Sequence, residues 1–232
     1  MGRDVIIACD FDSAEKTLAF LDRFQERKPF VKIGMELYYA EGPSIVRAIK
    51  ERGHKIFLDL KLHDIPTTVR KAMAVLSRLD VDMCNLHAAG TVRMMEEAIV
   101  GLTREDGTRP LLIAVTQLTS TDQASMESDL LIERDMAEVV MHYASCAAKA
   151  GLDGVVCSPL EAEKVHERCG KSFLTVTPGV RFADGDKGDQ KRVMTPAEAK
   201  RIGSDYIVVG RPITAAEDPV SAYERCIAEF VD

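Results

Sequence analysis

The sequence predicts one α/β domain, a closed (β/α)8 barrel of the TIM type. Three observations point to it. Eight short runs of apolar, largely β-branched residues alternate with eight longer amphipathic ones. The repeat averages about 29 residues, the size of one strand-plus-helix unit. The strand runs are apolar almost throughout, as parallel strands covered on both faces are. Eight such units in 232 residues favour closure over an open sheet. No shift in composition marks a boundary, so residues 1–232 read as a single domain.

Each element follows in order. The first strand is expected at Val5–Asp10, and a helix over Ser13–Arg27 has Ser13 as its N-cap. Strand two, Phe30–Gly34, precedes a helix over Gly42–Arg52. Strand three, Lys55–Lys61, leads through Asp64 to a helix over Pro66–Leu79, where Pro66 suits the first turn. Strand four, Met83–His87, is followed by a helix over Thr91–Gly101 with Thr91 as N-cap. Strand five, Leu111–Thr116, runs into a long polar connection, Gln117–Asp129, before a helix over Leu130–Ala150. Strand six, Gly154–Cys157, leads to a helix over Leu160–Cys169. Strand seven, Phe173–Pro178, opens on a second polar connection, Phe182–Val193, with Gly185 and Gly188. A helix over Thr195–Ile202, strand eight at Tyr206–Gly210 and a helix over Pro219–Val231 complete the series. Gly53, Gly151, Gly170 and Gly203 fall just past helices, where a left-handed residue is favoured. Both long connections follow strands, so both open on the C-terminal face, where such barrels keep their active sites.

Composition excludes several classes. With 46% hydrophobic residues the chain is no disordered segment, and no apolar stretch approaches the roughly 20 residues of a membrane span. Thirty Lys and Arg against 37 Asp and Glu leave a net charge of −7. Such a chain is no bulk binder of nucleic acid or anionic membrane. An anionic ligand must be held by a local cluster of Arg, Lys and backbone N–H groups. The six cysteines form no C-x-x-C pair, which speaks against a disulfide scaffold or zinc ribbon. Cys9, Cys84 and Cys157 read as buried thiols. His54, His142 and His166 read as surface or helix residues. No histidine cluster has metal-ligand spacing, and no metal is expected. The apolar run Val5–Cys9 is too short for a signal peptide, so the expected address is the cytoplasm.

The chemistry gathers in charged residues at strand ends. Asp10 ends the first strand, Lys32 lies in the second, and Asp59 and Lys61 end the third, with Asp64 three residues on. In a strand, residues two apart share a face, so Asp59 and Lys61 are expected to project together at the mouth, within reach of Lys32. Burying such groups is costly unless they pair. The bland alternative is an ion-pair network that only caps the barrel. A second signal is anion recognition. Strand eight runs into Gly210-Arg211-Pro212 and strand seven into Thr177-Pro178-Gly179-Val180-Arg181. Glycine admits close approach and arginine donates in pairs, and the loops after strands seven and eight are the usual phosphate site of these barrels. Gln190 is placed to close over the anion.

These residues carry a family resemblance. Asp59-Leu60-Lys61-Leu62-His63-Asp64-Ile65-Pro66 closely resembles the signature of the orotidine 5′-monophosphate decarboxylases, bacterial type. Val31-Lys32-Ile33-Gly34, Gln117-Leu118-Thr119-Ser120, Thr177–Arg181, Gly188-Asp189-Gln190 and Val209-Gly210-Arg211-Pro212-Ile213 are similar to further family segments, in order over nearly the whole chain.

The resemblance implies decarboxylation of a nucleotide, orotidine 5′-monophosphate, to uridine 5′-monophosphate in pyrimidine biosynthesis, without metal or cofactor. It implies that Lys32, Asp59, Lys61 and Asp64 form an alternating charged tetrad, and that Lys61 protonates C6 as carbon dioxide leaves. Asp59 is then beside the substrate carboxylate, and Lys32, Asp64 and Asp10 bind the ribose. Asp64, Ile65 and Thr68 are contributed by the other subunit of a homodimer. Thr119 and Ser120 face the pyrimidine or its neighbouring loop, and Gln190, Gly210 and Arg211, with Arg181 beside them, bind the phosphate. Two other readings compete. Sugar-phosphate enzymes of the same superfamily share D-x-K-x-x-D but hold Mg²⁺ with it. A non-catalytic nucleotide-binding barrel would keep the phosphate grip without needing Lys61.

Overall fold

The computed structural model describes residues 2–183 and 194–232. Eight parallel strands close into a barrel in sequence order: β1 (Asp4–Ala8), β2 (Phe30–Gly34), β3 (Ile56–Leu62), β4 (Met83–His87), β5 (Leu111–Val115), β6 (Gly154–Val156), β7 (Leu174–Pro178) and β8 (Tyr206–Val209), which pairs back onto β1. The helices lie outside: α1 (Ala14–Leu21), α2 (Met35–Glu41), α3 (Pro43–Glu51), α4 (Pro66–Leu76), α5 (Thr91–Leu102), α6 (Gln123–Ser128), α7 (Met136–Ala150), α8 (Ala162–Cys169), α9 (Pro196–Arg201), α10 (Arg211–Thr214) and α11 (Pro219–Phe230). Inward-facing Ile6, Phe30, Phe57, Met83, Ile113 and Val176 fill the barrel's lower half. Outward-facing residues such as Val5, Ile33, Leu58 and Ile207 pack under the helices. This doubly covered sheet explains the apolar strands.

The rim at the strands' N-terminal ends is built by a repeated device. Asp82, Asp153 and Asp205 each stand one residue before an even-numbered strand. Their carboxylates accept the Ile56, Leu112 and Thr175 amides of the preceding strand at 2.8, 2.7 and 2.9 Å. Each carboxylate is paired with a base: Asp82 with Lys50 at 2.9 Å, Asp153 with Arg109, and Asp205 with Arg3 at 3.1 Å, the His166 ring lying 3.0 Å from its other oxygen. Charge at this end holds strands in register, the structural role expected of a barrel's lower face.

Several local expectations are corrected. The first helix stops at Leu21, not Arg27, and Phe24 beyond it turns into the core, 5.8 Å from the Tyr223 ring. Met35–Glu41 forms a helix of its own before α3. Helix α7 starts at Met136, not Leu130, because Asp135 caps it through the Ala137 amide. The polar connection after β5 contains α6, capped by Asp122. Thr91 is not an N-cap: Gly90 holds that place, no side chain caps the helix, and Thr91 itself takes a φ of 78°. Gly210 lies just past β8 as the residue before α10. His54 is buried, with its Nδ1 hydrogen-bonded at 2.9 Å to the Pro29 carbonyl. Ser13, Thr195 and Pro66 occupy the helix starts read for them, and Gly53, Gly151, Gly170 and Gly203 all have positive φ.

Candidate active site

The upper half of the barrel is hollow. A cavity of about 190 Å³ lies there, with Lys32, Phe57, Asp59, Lys61, Asn85 and Thr119 in its wall, and the β7 and β8 ends Pro178 and Val208 opposite. Into this apolar chamber the strands deliver a compact charge cluster. The Lys61 ammonium donates to Asp59 Oδ1 at 2.6 Å. Lys32 Nζ is 3.4 Å from Asp59 Oδ2 and donates to Asp10 Oδ1 at 2.9 Å. One buried carboxylate thus lies between two ammonium groups. Burial alone would raise the Asp59 pKa; the Lys32 and Lys61 charges, with hydrogen bonds from Lys61 and Asn85, bring it below the ordinary carboxylate value. Burial pulls Lys32 the other way, and Asp59 and Asp10 outweigh it, so its pKa is raised. Both groups are therefore charged near neutral pH.

Strand β3 delivers Lys61 by a route that simple alternation does not describe. Leu58 pairs with Cys84 and Leu62 with Leu86, so four residues of β3 advance against two of β4. Within this bulge Lys61 has a φ of 51°, a left-handed conformation uncommon for a residue with a side chain. Asn85 accepts the Lys61 backbone N–H at 2.8 Å and donates to Asp59 Oδ1 at 2.7 Å. It is 1% exposed. Sequence reasoning does not single out Asn85 as functional. A signal for it is nevertheless present: asparagine is depleted in strands, and this one sits in Met83-Cys84-Asn85-Leu86-His87.

The other expected residues fall in three places. Thr119 and Ser120 are both exposed in one turn, and Thr119 also lines the cavity. Gly210 and Arg211 follow β8, and Arg181 follows β7, so both arginines stand beyond neighbouring strand ends. Arg181 is buried, with its Nη1 donating to the Val180 carbonyl at 3.0 Å; Arg211 is exposed. The Arg181 amide donates to the Met194 carbonyl at 3.0 Å, holding together the two ends of the connection between β7 and α9. Gln190 lies outside the described residues. Asp64, Ile65 and Thr68 are exposed, and the Asp64 carboxylate accepts the Ile65 amide at 2.6 Å. Within the single chain Asp64 does not join the cluster around Asp59. His87 is half-buried with its ring 5.7 Å from that of His63; burial lowers its pKa, and His63 and Lys61 add to this.

A closed parallel barrel with opposite charges packed at one end of its chamber, and arginines beyond its last two strands, defines a (β/α)8 enzyme for an anionic ligand. Comparison with known proteins gives the particular family. Residues 3–226 match the Orotidine 5′-phosphate decarboxylase / HUMPS family. The chain is 54% identical to an orotidine 5′-phosphate decarboxylase of Geobacillus sp. (strain WCH70) over 233 residues, 99% of this chain and 98% of that one. It is 59% identical to the corresponding protein of Streptococcus pyogenes over 226 residues, 97% and 96% of the two chains. The crystal structure of orotidine 5′-phosphate decarboxylase from Lactobacillus acidophilus superposes with a TM-score of 0.89 at 42% identity, covering 99% of this chain and 100% of the other. The chain belongs to this family, and it is an enzyme of the decarboxylase branch.

Proposed function

We propose that the barrel converts orotidine 5′-monophosphate to uridine 5′-monophosphate in pyrimidine biosynthesis by direct loss of carbon dioxide, without a metal, and that Lys61 supplies the proton. The observation that carries this reading is the Lys61 ammonium held 2.6 Å from buried Asp59 at the wall of the cavity. Breaking the bond from C6 to its carboxylate leaves the electron pair on C6, in the ring plane, where the π-system cannot delocalise it. A fixed ammonium in a water-poor chamber stabilises that charge as it forms, because its orientation is set before reaction. The pair then takes a proton from Lys61 Nζ, and the neutral amine regains one from solvent after product leaves. Asp59 accepts a hydrogen bond from the lysine at 2.6 Å and stands beside the departing carboxylate. Its carboxylate is already engaged by two ammonium groups and an amide, a donor set suited to charge balance within the protein.

Arg211, Gly210, Arg181 and Gln190 hold the phosphate, and the binding energy of that remote group is available to the reacting end of the nucleotide. Thr119 and Ser120 meet the base, and Asp10 and Lys32 the ribose. Asp64, Ile65 and Thr68 complete the site of the second copy in a homodimer. Support comes from the exposed apolar groups that follow the C-terminal ends of β2, β3 and β5: Met35 at 44%, Tyr39 at 70%, Ile65 at 66% and Leu118 at 43% exposure. The cytoplasm is the proposed compartment. Among the described residues no helix is long and apolar enough to cross a membrane.

The test is to incubate purified protein with orotidine 5′-monophosphate and EDTA and follow the ultraviolet absorbance of the pyrimidine. The expected result is full turnover under chelation. Turnover that requires Mg²⁺, or that appears only with a sugar phosphate, would assign the chain to the metal-using chemistry instead.

A further inference from the structure

We propose that Asn85 is a positioning residue for the proton donor: its carboxamide fixes the left-handed backbone at Lys61 and the orientation of Asp59, and so aims the ammonium into the cavity. The proposal rests on the reading of Lys61 given above. Three features converge on Asn85. It is buried at 1% exposure in the middle of β4, on the inward face of the barrel and in the wall of the cavity. Its Oδ1 accepts the Lys61 amide at 2.8 Å, and its Nδ2 donates to Asp59 Oδ1 at 2.7 Å. The register of β3 against β4 shifts across this contact, so the Lys61 amide lies off the regular ladder.

A lysine with a φ of 51° does not hold that conformation by its own preference. Asn85 supplies the hydrogen bond that the bulged amide needs. The same group donates to the oxygen of Asp59 that Lys61 also uses, so backbone, carboxylate and ammonium are tied through one side chain. Neither serine nor an apolar residue at this place offers an acceptor and a donor at that spacing.

The test uses Asn85→Ala and Asn85→Asp in the full chain, with wild-type turnover in the same assay as reference. Asn85→Ala is expected to lower kcat on the order of 10²-fold, the effect of misplacing a reacting group by about 1 Å, with KM changed far less. Asn85→Asp is the sharper variant. It puts a second carboxyl beside Asp59. While that pair holds a proton, the introduced carboxyl can still accept the Lys61 amide and donate to Asp59. Once the proton is lost, the donor is gone and two anions face each other. The other titratable groups around this position are Lys61 on β3, Lys32 on β2, His87 on β4 and His63 near it; β5 presents Ile113 opposite Asn85 and no ionisable residue. Dividing the variant profile by the wild-type profile cancels any titration common to the two proteins, and the Asn85→Ala profile serves as the uncharged control. The ratio of kcat values is expected to rise toward one at acid pH and to fall as pH increases, while the Asn85→Ala ratio stays flat. An Asn85→Ala kcat within a few-fold of wild type, or an Asn85→Asp ratio that does not depend on pH, would overturn the proposal. Failure of the reaction assignment looks different: the wild-type protein itself would then not turn over the nucleotide.

Discussion

Lys61 is the residue on which the proposed chemistry turns, and it stands in a cluster of paired charges. Asp59 is driven below its usual range and Lys32 above its own, each against the pull of burial, because the opposite charges lie within 3.4 Å. Asp59 is therefore ionised above the ordinary carboxylate range, and Lys32 is protonated below the ordinary lysine range. Neither group should contribute a titration to kcat between about pH 5 and 9. A kcat profile measured at saturating nucleotide should carry no limb from them in that window, and replacing Lys32 with Met should introduce an acid limb as the Asp59 pKa rises. An unchanged acid side in that variant would contradict the account of the cluster. These charged residues were legible in the sequence because ionisable groups inside apolar strands stand out. Asn85 and the left-handed turn at Lys61 were not. The hydrophobic pattern carries no mark of a bulge, and one amide in a strand draws less notice than a charge.

Among elements, the two ends of the barrel use charge for different purposes. At the lower rim Asp82, Asp153 and Asp205 bind strand amides and are paired with neighbouring bases. At the upper rim Asp59 and Lys61 are aimed into a cavity. Asp205→Ala removes a buried acceptor from the Thr175 amide, Arg3 and His166 together. It should destabilise the fold by about 1.5–3 kcal/mol in denaturant titration, with kcat of the folded fraction unchanged. A large loss of kcat at full stability would show that the lower rim is not purely structural. The order of strands and helices could be read from periodicity, and the helix-ending glycines from their places. The lower-rim device is not legible in the sequence, because an aspartate before a strand also looks like an ordinary turn residue. Thr91 misled for a related reason: threonine before an apolar helix is a common cap, but here Gly90 already turns the chain and Thr91 lies inside the helix.

Across the whole molecule, the single chain provides three of the four charges read as a tetrad, with Asp64 turned to solvent beside exposed Ile65. The proposed two-fold dimer brings each chain's Asp64 to the other's Lys61, so neither subunit works alone. That dependence could be inferred from the family resemblance and not from the apolar pattern, because a loop that completes a neighbour's site looks in its own chain like any polar connection. The most direct test measures turnover of orotidine 5′-monophosphate under chelation for Lys61→Ala and Asp64→Ala, each alone and after mixing through reversible dissociation. Each variant alone should be folded, should bind uridine 5′-monophosphate and should be nearly inactive. Random mixing leaves half the dimers mixed, each with one intact site, so activity should recover to about a quarter of wild type. Near-normal turnover by Lys61→Ala, or a mixture no more active than its parts, would contradict the account.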